Sequence, residues 1–389
     1  MSHQLNFLRA AGLMAAASLL LSACGGGANI AEPTPLTDIE APAYRMETLW
    51  RTDGGDGAGE FVSGFRPAVA QDRVFVANRD GYVTAIDVTS GRKIWRSRTG
   101  ERLISGPTAE NGTLLMGTRD GQVVALSADS GERQWTAELS SEVIAAPAAA
   151  NGMVVARALD GRIVALDLAT GDRRWTIEHT VPTLTMRGTS PAQIVGNTVY
   201  AGLENGKVVA LDSATGETRW EQSIAVPSGR SELERIVDID AAPLIVGNEL
   251  YAASAGNVMA SLSLTGGRVR WKQAISAATG LASNDSDVFT TDVDGVAWAV
   301  NRLTGNETWE QDALKYREPS APVLYESDVL VGDYDGYLHW LSADDGSVIA
   351  RGHPLGEAIR SRPVVVEDRV IVLGADGDVA AVRFRAAGG

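Results

Sequence analysis

The sequence predicts an all-β fold, an eight-bladed β-propeller, on three observations. The first is a repeat of about forty residues, visible when the chain is aligned on tryptophan: "TAIDVTSGRKIW" ends at Trp95, "VALSADSGERQW" at Trp135, "VALDLATGDRRW" at Trp175 and "VALDSATGETRW" at Trp220. The second is a turn dipeptide in every copy: Asp80-Gly81, Asp120-Gly121, Asp160-Gly161, Asn205-Gly206, Asp294-Gly295, Asp335-Gly336 and Asp376-Gly377, with Gly256-Asn257 marking the eighth. The third is alternation between the turns, as in "RVFVAN" and "YVTAID", which is the period-two signature of strands joined by tight hairpins. Four short strands in each forty-residue repeat mark a propeller.

Taken in chain order, residues 1–23 read as a signal peptide, with Arg9 ahead of the apolar run "AAGLMAAASLLL" and small residues directly before Cys24. That run is 12 residues long, too short to span a bilayer. "LSAC" resembles the lipobox of bacterial lipoproteins, which implies cleavage before Cys24 and acylation of that cysteine. Gly25, rather than Asp, implies sorting to the outer membrane. Several acyl chains together anchor stably. Residues 24–45 are Gly-, Pro- and Ala-rich without an apolar period and are expected to form a flexible tether.

The propeller is expected over 46–385, with 386–389 as a tail. Its inner strands are entered through Pro67, Pro107, Pro147, Pro191, Pro243, Pro322 and Pro363. Three weaker copies end at Trp271, Trp309 and Ala350, the last without its tryptophan. The final copy supplies three strands and stops at "AAVRFRAAGG", while Met46 to Trp50 is an orphan tryptophan strand at the other end. Pairing the two closes the ring and leaves no free edge between first and last blades.

The spacing Ala-x-Asp-x-x-x-Gly-x-x-x-Trp is complete at Ala85/Asp87/Gly91/Trp95, Ala165/Asp167/Gly171/Trp175 and Ala210/Asp212/Gly216/Trp220. It resembles the tryptophan-docking motif of propellers of the quinoprotein (PQQ-repeat) type. The glycine permits the turn, and the tryptophan covers apolar area on the neighbouring blade. Alanine in place of such a tryptophan should cost about 3–5 kcal/mol.

Quinoprotein dehydrogenases pair this fold with two adjacent cysteines and calcium. Here the only cysteine is Cys24, which also rules out an intramolecular disulfide and a multi-thiolate metal site. His179, His339 and His353 have no zinc-ligand spacing. "TTDVDG" and "VGDYDG" lack the third acid and the closing Glu of a calcium loop, and both align with the hairpin turns. No phosphate-cradling Gly-rich loop and no Gly-x-Ser-x-Gly elbow occurs. No cofactor, metal or catalytic residue is therefore expected. With 34 basic and 49 acidic residues, a formal net charge of -15, the chain is a poor match for nucleic acid.

What remains is where the repeat breaks its spacing. From Trp95 to Pro107 and from Trp135 to Pro147 the link is 12 residues, but from Trp175 to Pro191 it is 16 and from Trp220 to Pro243 it is 23. Both insertions fall in the same type of connection in consecutive blades, so they should be neighbours on one face. "LTMRG" offers Leu184 and Met186 beside Arg187, and "RIVDID" offers Asp238 and Asp240. Apolar knobs, a guanidinium and two carboxylates make the composition of an interface hot spot. A plainer role is that the two acids accept backbone hydrogen bonds and Arg187 pairs with one of them internally. If they face a partner, replacing them should spare stability and cost binding. If they are internal acceptors, it should cost about 1–3 kcal/mol of stability.

The lipobox, the eight blades and the two insertions together resemble the BamB family, lipoprotein subunits of the outer-membrane β-barrel assembly (BAM) machinery, over essentially the whole mature chain. The resemblance implies a non-catalytic scaffold anchored in the outer membrane and facing the periplasm. It also implies that the insertions bind a POTRA domain of BamA, through Leu184, Met186, Arg187, Asp238 and Asp240. Met186 stands where a second leucine is usual, a swap that preserves volume. Unfolded outer-membrane protein clients are further expected partners, taken up by strand addition at blade edges. The rival is a quinoprotein-like enzyme or ligand-binding propeller with its site in the central channel, which would carry a quinone absorbance or bound calcium.

Overall fold

A computed structural model describes residues 31–57, 64–186, 190–277 and 279–387. Cys24 and Arg187 lie outside the described residues. Thr34 onward forms one compact unit.

Eight antiparallel sheets follow one another, and apart from one 3-10 turn at Leu233–Arg235 the described residues form no helix. Blades 1 to 7 each run inner to outer in chain order. Blade 4, for example, is built from Gln193–Val195, Thr198–Gly202, Lys207–Asp212 and Thr218–Ser223. Blade 8 takes its three inner strands, Val364–Val366, Arg369–Leu373 and Asp378–Ala386, from the C-terminus and its outermost strand, Tyr44–Asp53, from the N-terminus. The register sets Met46 against Phe384 and Trp50 against Ala381, so the predicted closure holds. Pairing starts at Tyr44 opposite Ala386, and Ala387 donates its N–H to Ala43 O, which ties the first two residues of the expected tail to the closing strand and the residue before it.

The tryptophans do what their spacing predicts, and more. Trp50, Trp95, Trp135, Trp175, Trp220, Trp271 and Trp309 each donate the indole N–H to a carbonyl of the next blade at 2.8–3.1 Å. Each ring also lies on the motif glycine of that blade. A Cβ at Gly91, Gly131, Gly171, Gly216, Gly267, Gly305 or Gly346 would sit 2.5–2.8 Å from indole atoms, and each of these glycines has φ between 68° and 77°. The glycine is thus required both for the turn and for the neighbour's ring.

The same geometry explains Ala350. A tryptophan there would dock on the turn between the third and fourth strands of blade 8, and that turn does not exist because the chain's two ends meet in its place. Tyr44 packs on Trp340 instead, with ring centroids 4.2 Å apart, beside Tyr325 and Phe384.

Two features were not foreseen. Gly64–Phe65 adds a two-residue parallel strand to the inner strand of blade 2, Leu103–Glu110. The expected tether, moreover, is docked from Thr34 onward. Thr34 N–H donates to Lys315 O at 3.0 Å, Arg317 Nη1 to Thr34 O at 3.3 Å, Arg351 Nη1 to Thr37 O at 2.8 Å and Ala43 N–H to Ile349 O at 3.0 Å. Backbone carbonyls accept all four of these bonds, which is why the Pro-rich composition read as a free coil.

Candidate functional site

Antiparallel order puts all connections between blades on one face together with the Asp-Gly turns. The two insertions obey this: His179 N–H donates to Gly161 O, and Ile224 and Ala225 N–H both donate to Gly206 O, each a turn glycine of its own blade. The insertions are neighbours, since Met186 N–H donates to Asp238 Oδ2 at 2.5 Å across 52 residues of sequence.

In "RIVDID" the period-two alternation of an extended chain sorts the side chains. Val237 and Ile239, 3% and 1% exposed, enter the core between blades 4 and 5 with Tyr200, Leu250 and Leu262. Ile239 sits so close to Gly202 that a Cβ there would lie 2.3 Å from Cγ2. The intervening Asp238 and Asp240 turn the other way and are also buried, at 1% and 8% exposure. The expectation that these two carboxylates face outward is therefore corrected: Asp238 is an internal acceptor holding the first insertion. The apolar residues on either side of each acid are the signal that pointed to burial.

Beneath the loops lies a charge cluster. Arg157 Nη2 meets Glu204 Oε1 at 2.5 Å, Arg157 Nη1 donates to Ser190 O at 2.8 Å, and His179 Nε2 pairs with Glu204 Oε2 at 2.8 Å. Ser190 Oγ in turn donates to Ala241 O at 3.1 Å, tying the ends of the two insertions together. Burial works against the Glu204 charge, but the Arg157 guanidinium and the His179 bond outweigh it and hold the carboxyl at about 2. Asp238 and Asp240 go the opposite way. Burial, reinforced by Glu204 at Asp238 and by Asp238 and Glu204 at Asp240, pushes them up to about 6 and about 7, against the opposing Met186 N–H bond at Asp238 and the Arg157 charge at both. Asp238 Oδ1 and Asp240 Oδ1 are buried without a hydrogen-bond partner among the described residues.

The sign of the resulting pH dependence follows. A carboxyl whose folded pKa is raised binds its proton more tightly folded than unfolded, so Asp238 and Asp240 lower stability as pH rises from about 4 through about 7. Asp238→Asn/Asp240→Asn keeps an oxygen acceptor for Met186 while removing both charges. Its melting temperature is expected to gain on the wild type at pH 8 relative to pH 5. Identical differences at both pH values would show that the acids do not titrate in this way.

Above the cluster the loops present apolar tips. Leu184 and Met186 are 43% and 55% exposed, as their spacing suggested. Sequence reasoning missed Val226 and Leu233, which are 69% and 74% exposed in the second insertion. Leu233 is held at the tip by a self-contained turn. Glu234 Oε2 accepts the N–H groups of Arg230 and Ser231, and Ser231 Oγ accepts the N–H of Glu234. A single apolar residue inside the polar run "SGRSELER" was the available clue.

A regular ring whose lengthened connections are neighbours on one face, over a buried and unusually charged support, defines a propeller of the quinoprotein-repeat class. The sequence model described as outer membrane protein assembly factor BamB matches residues 79–311 and 293–388. A relative from Alkalilimnicola ehrlichii, named outer membrane protein assembly factor BamB, is 45% identical over 369 residues, 95% of each chain. The solved structure of BamB from Moraxella catarrhalis superposes with a TM-score of 0.80 at 27% identity, covering 87% of this chain and 100% of that one. A europium-containing methanol dehydrogenase gives a TM-score of 0.71 at 13% identity, covering 87% of this chain and 93% of that one, which speaks to the fold alone. The chain belongs to the BamB family.

Proposed function

We propose that this protein is a non-catalytic outer membrane protein assembly factor, a lipoprotein held at the outer membrane by Cys24 and facing the periplasm. In this role it binds BamA, the POTRA-bearing subunit of the BAM complex, through the insertion face. The observation that carries the proposal is the division of labour in that face. Leu184, Met186, Val226 and Leu233 are exposed at the loop tips, while Asp238, Glu204 and Arg157 are buried beneath them. Apolar tips on a stiff base lose little conformational entropy on binding and make good anchors. Leu184, Met186 and Arg187 are assigned to contact BamA, and Asp238 and Asp240 to holding the loop that presents them. Unfolded clients would add as strands at free blade edges.

Leu184→Ala/Met186→Ala is expected to keep the wild-type melting temperature and lose about 2 kcal/mol of affinity for BamA, roughly 25-fold, read by co-purification from solubilised outer membrane and by titration with the POTRA domains. Arg187→Ala should match it. Retention of BamA at wild-type strength would sink the assignment. For the anchor, Cys24→Ala is expected to abolish incorporation of radioactive palmitate while leaving the propeller folded, and continued labelling would refute the lipoprotein reading.

A further inference from the structure

We infer that the strap from Thr34 to Ala43 makes the insertion-bearing face the membrane-proximal face of the propeller, with a phospholipid bilayer as the surface it addresses. The inference rests on Cys24 being the lipid anchor. The closing strand Tyr44–Asp53 feeds blade 1 from its Asp53 end, so that end lies on the insertion face and Tyr44 lies on the opposite one. A tether free up to Tyr44 would therefore leave the ring on the side away from the insertions.

The strap reverses this. Ala43 is bonded to Ile349, next to the first residue of the outer strand of blade 7, Val348–Gly352, just after the Asp345-Gly346 turn and hence on the far face. Thr34 is bonded to Lys315 and Arg317, in the connection from blade 6 to blade 7, which is of the same type as the two insertions. Between Ala43 and Thr34 the chain crosses the full height of blade 7.

The seat for the strap is built from the core outward. Asp333 and His339 are both fully buried, with His339 Nε2 2.9 Å from Asp333 Oδ2. Arg317, 4% exposed, donates Nε to Asp333 Oδ2 at 2.8 Å and uses Nη1 on Thr34 O. Arg351 donates Nε to His339 Nδ1 at 3.2 Å and uses Nη1 on Thr37 O. Two guanidiniums fixed to one buried acid–histidine pair, the buried Arg317 and the half-buried Arg351, thus spend remaining donors on strap carbonyls. Ten residues, Cys24 to Pro33, remain outside the strap. Fully extended they span at most roughly 35 Å, against roughly 70 Å for a tether free up to Ala43. Short reach and exit on the insertion face both keep the loop tips toward the headgroups, where a membrane-embedded partner is met.

The test uses the full lipidated chain in phosphatidylethanolamine/phosphatidylglycerol vesicles carrying a nickel-chelating lipid. Spin labels are placed at Val226→Cys on the insertion face or at Leu303→Cys on the opposite one, positions 69% and 76% exposed. Relaxation enhancement by the membrane nickel is expected to be several-fold larger at residue 226, and Arg351→Gln should shrink the difference by freeing the strap. Equal or reversed enhancement in the parent chain overturns the inference. So does rapid hydrogen exchange at the amides of Thr34 and Ala43, measured in solution without vesicles. A chain that fails to float with vesicles while those amides stay protected refutes the anchor, and the inference falls with it for that separate reason.

Discussion

A chain lacking residues 44–53 is expected to lose most of its thermal stability, while one lacking residues 25–33 keeps the wild-type midpoint. The deleted strand is the fourth of blade 8 and pairs along its whole length with Asp378–Ala386. It also carries Trp50, 8% exposed, which lies over Gly91 of blade 1 and donates to Val88 O at 3.0 Å. That side chain alone is worth about 3–5 kcal/mol. Removing the strand also leaves Val379, Ala381 and Ile371 without a cover and opens an edge that pairs with other chains. Since a whole domain is typically stable by only about 5–15 kcal/mol, the loss should bring aggregation or a non-cooperative transition. Midpoints that coincide in the two truncations, read by circular dichroism, would mean that the ring is not closed by this strand.

Arg157→Ala is the second large effect. Arg157 and Glu204 are 6% and 7% exposed, and removing the cation strands a carboxylate that burial already opposes. Breaking a buried pair from one side costs about 3–5 kcal/mol, part of which His179 can return by remaining on Glu204 Oε2. Arg157→Met/Glu204→Met should recover much of it, because neither charge is then left alone. A single variant as stable as the wild type would show that the cluster does not support the insertions. BamA binding should fall in the single variant through the loosened loops.

Much of the ring was legible because its determinants are local and repeated. An Asp-Gly turn and a tryptophan at fixed spacing each force one feature, and eight copies leave little freedom in how they assemble. The double role of the motif glycine was half legible: its turn shows in the sequence, but its contact with the preceding blade's indole depends on how blades stack. The strap was not legible, because carbonyl oxygens hold it and every residue has one. At the site, Leu184 and Met186 stood out as apolar residues in a lengthened loop, whereas Asp238 and Asp240 misled because a carboxylate is ordinarily read as exposed. Their neighbours Val237 and Ile239 go into the core, and the first insertion covers Asp238 on the other side of the chain. Val226 and Leu233 were hidden by the polar residues around them.

The closure joins the oldest part of the folded chain to the youngest. Glu47 and Arg383, which form an ion pair at 3.0 Å, are 336 residues apart in sequence, so the ribosome makes the first well before the second. Blades 1 to 7 can form as each is completed, since their four strands are consecutive, but the first strand must wait for the last. Until then it is a strand without its pairing partner, an edge open to other chains. A chain cut short anywhere before the final strand therefore has blades but no closure, and its first strand keeps an open edge.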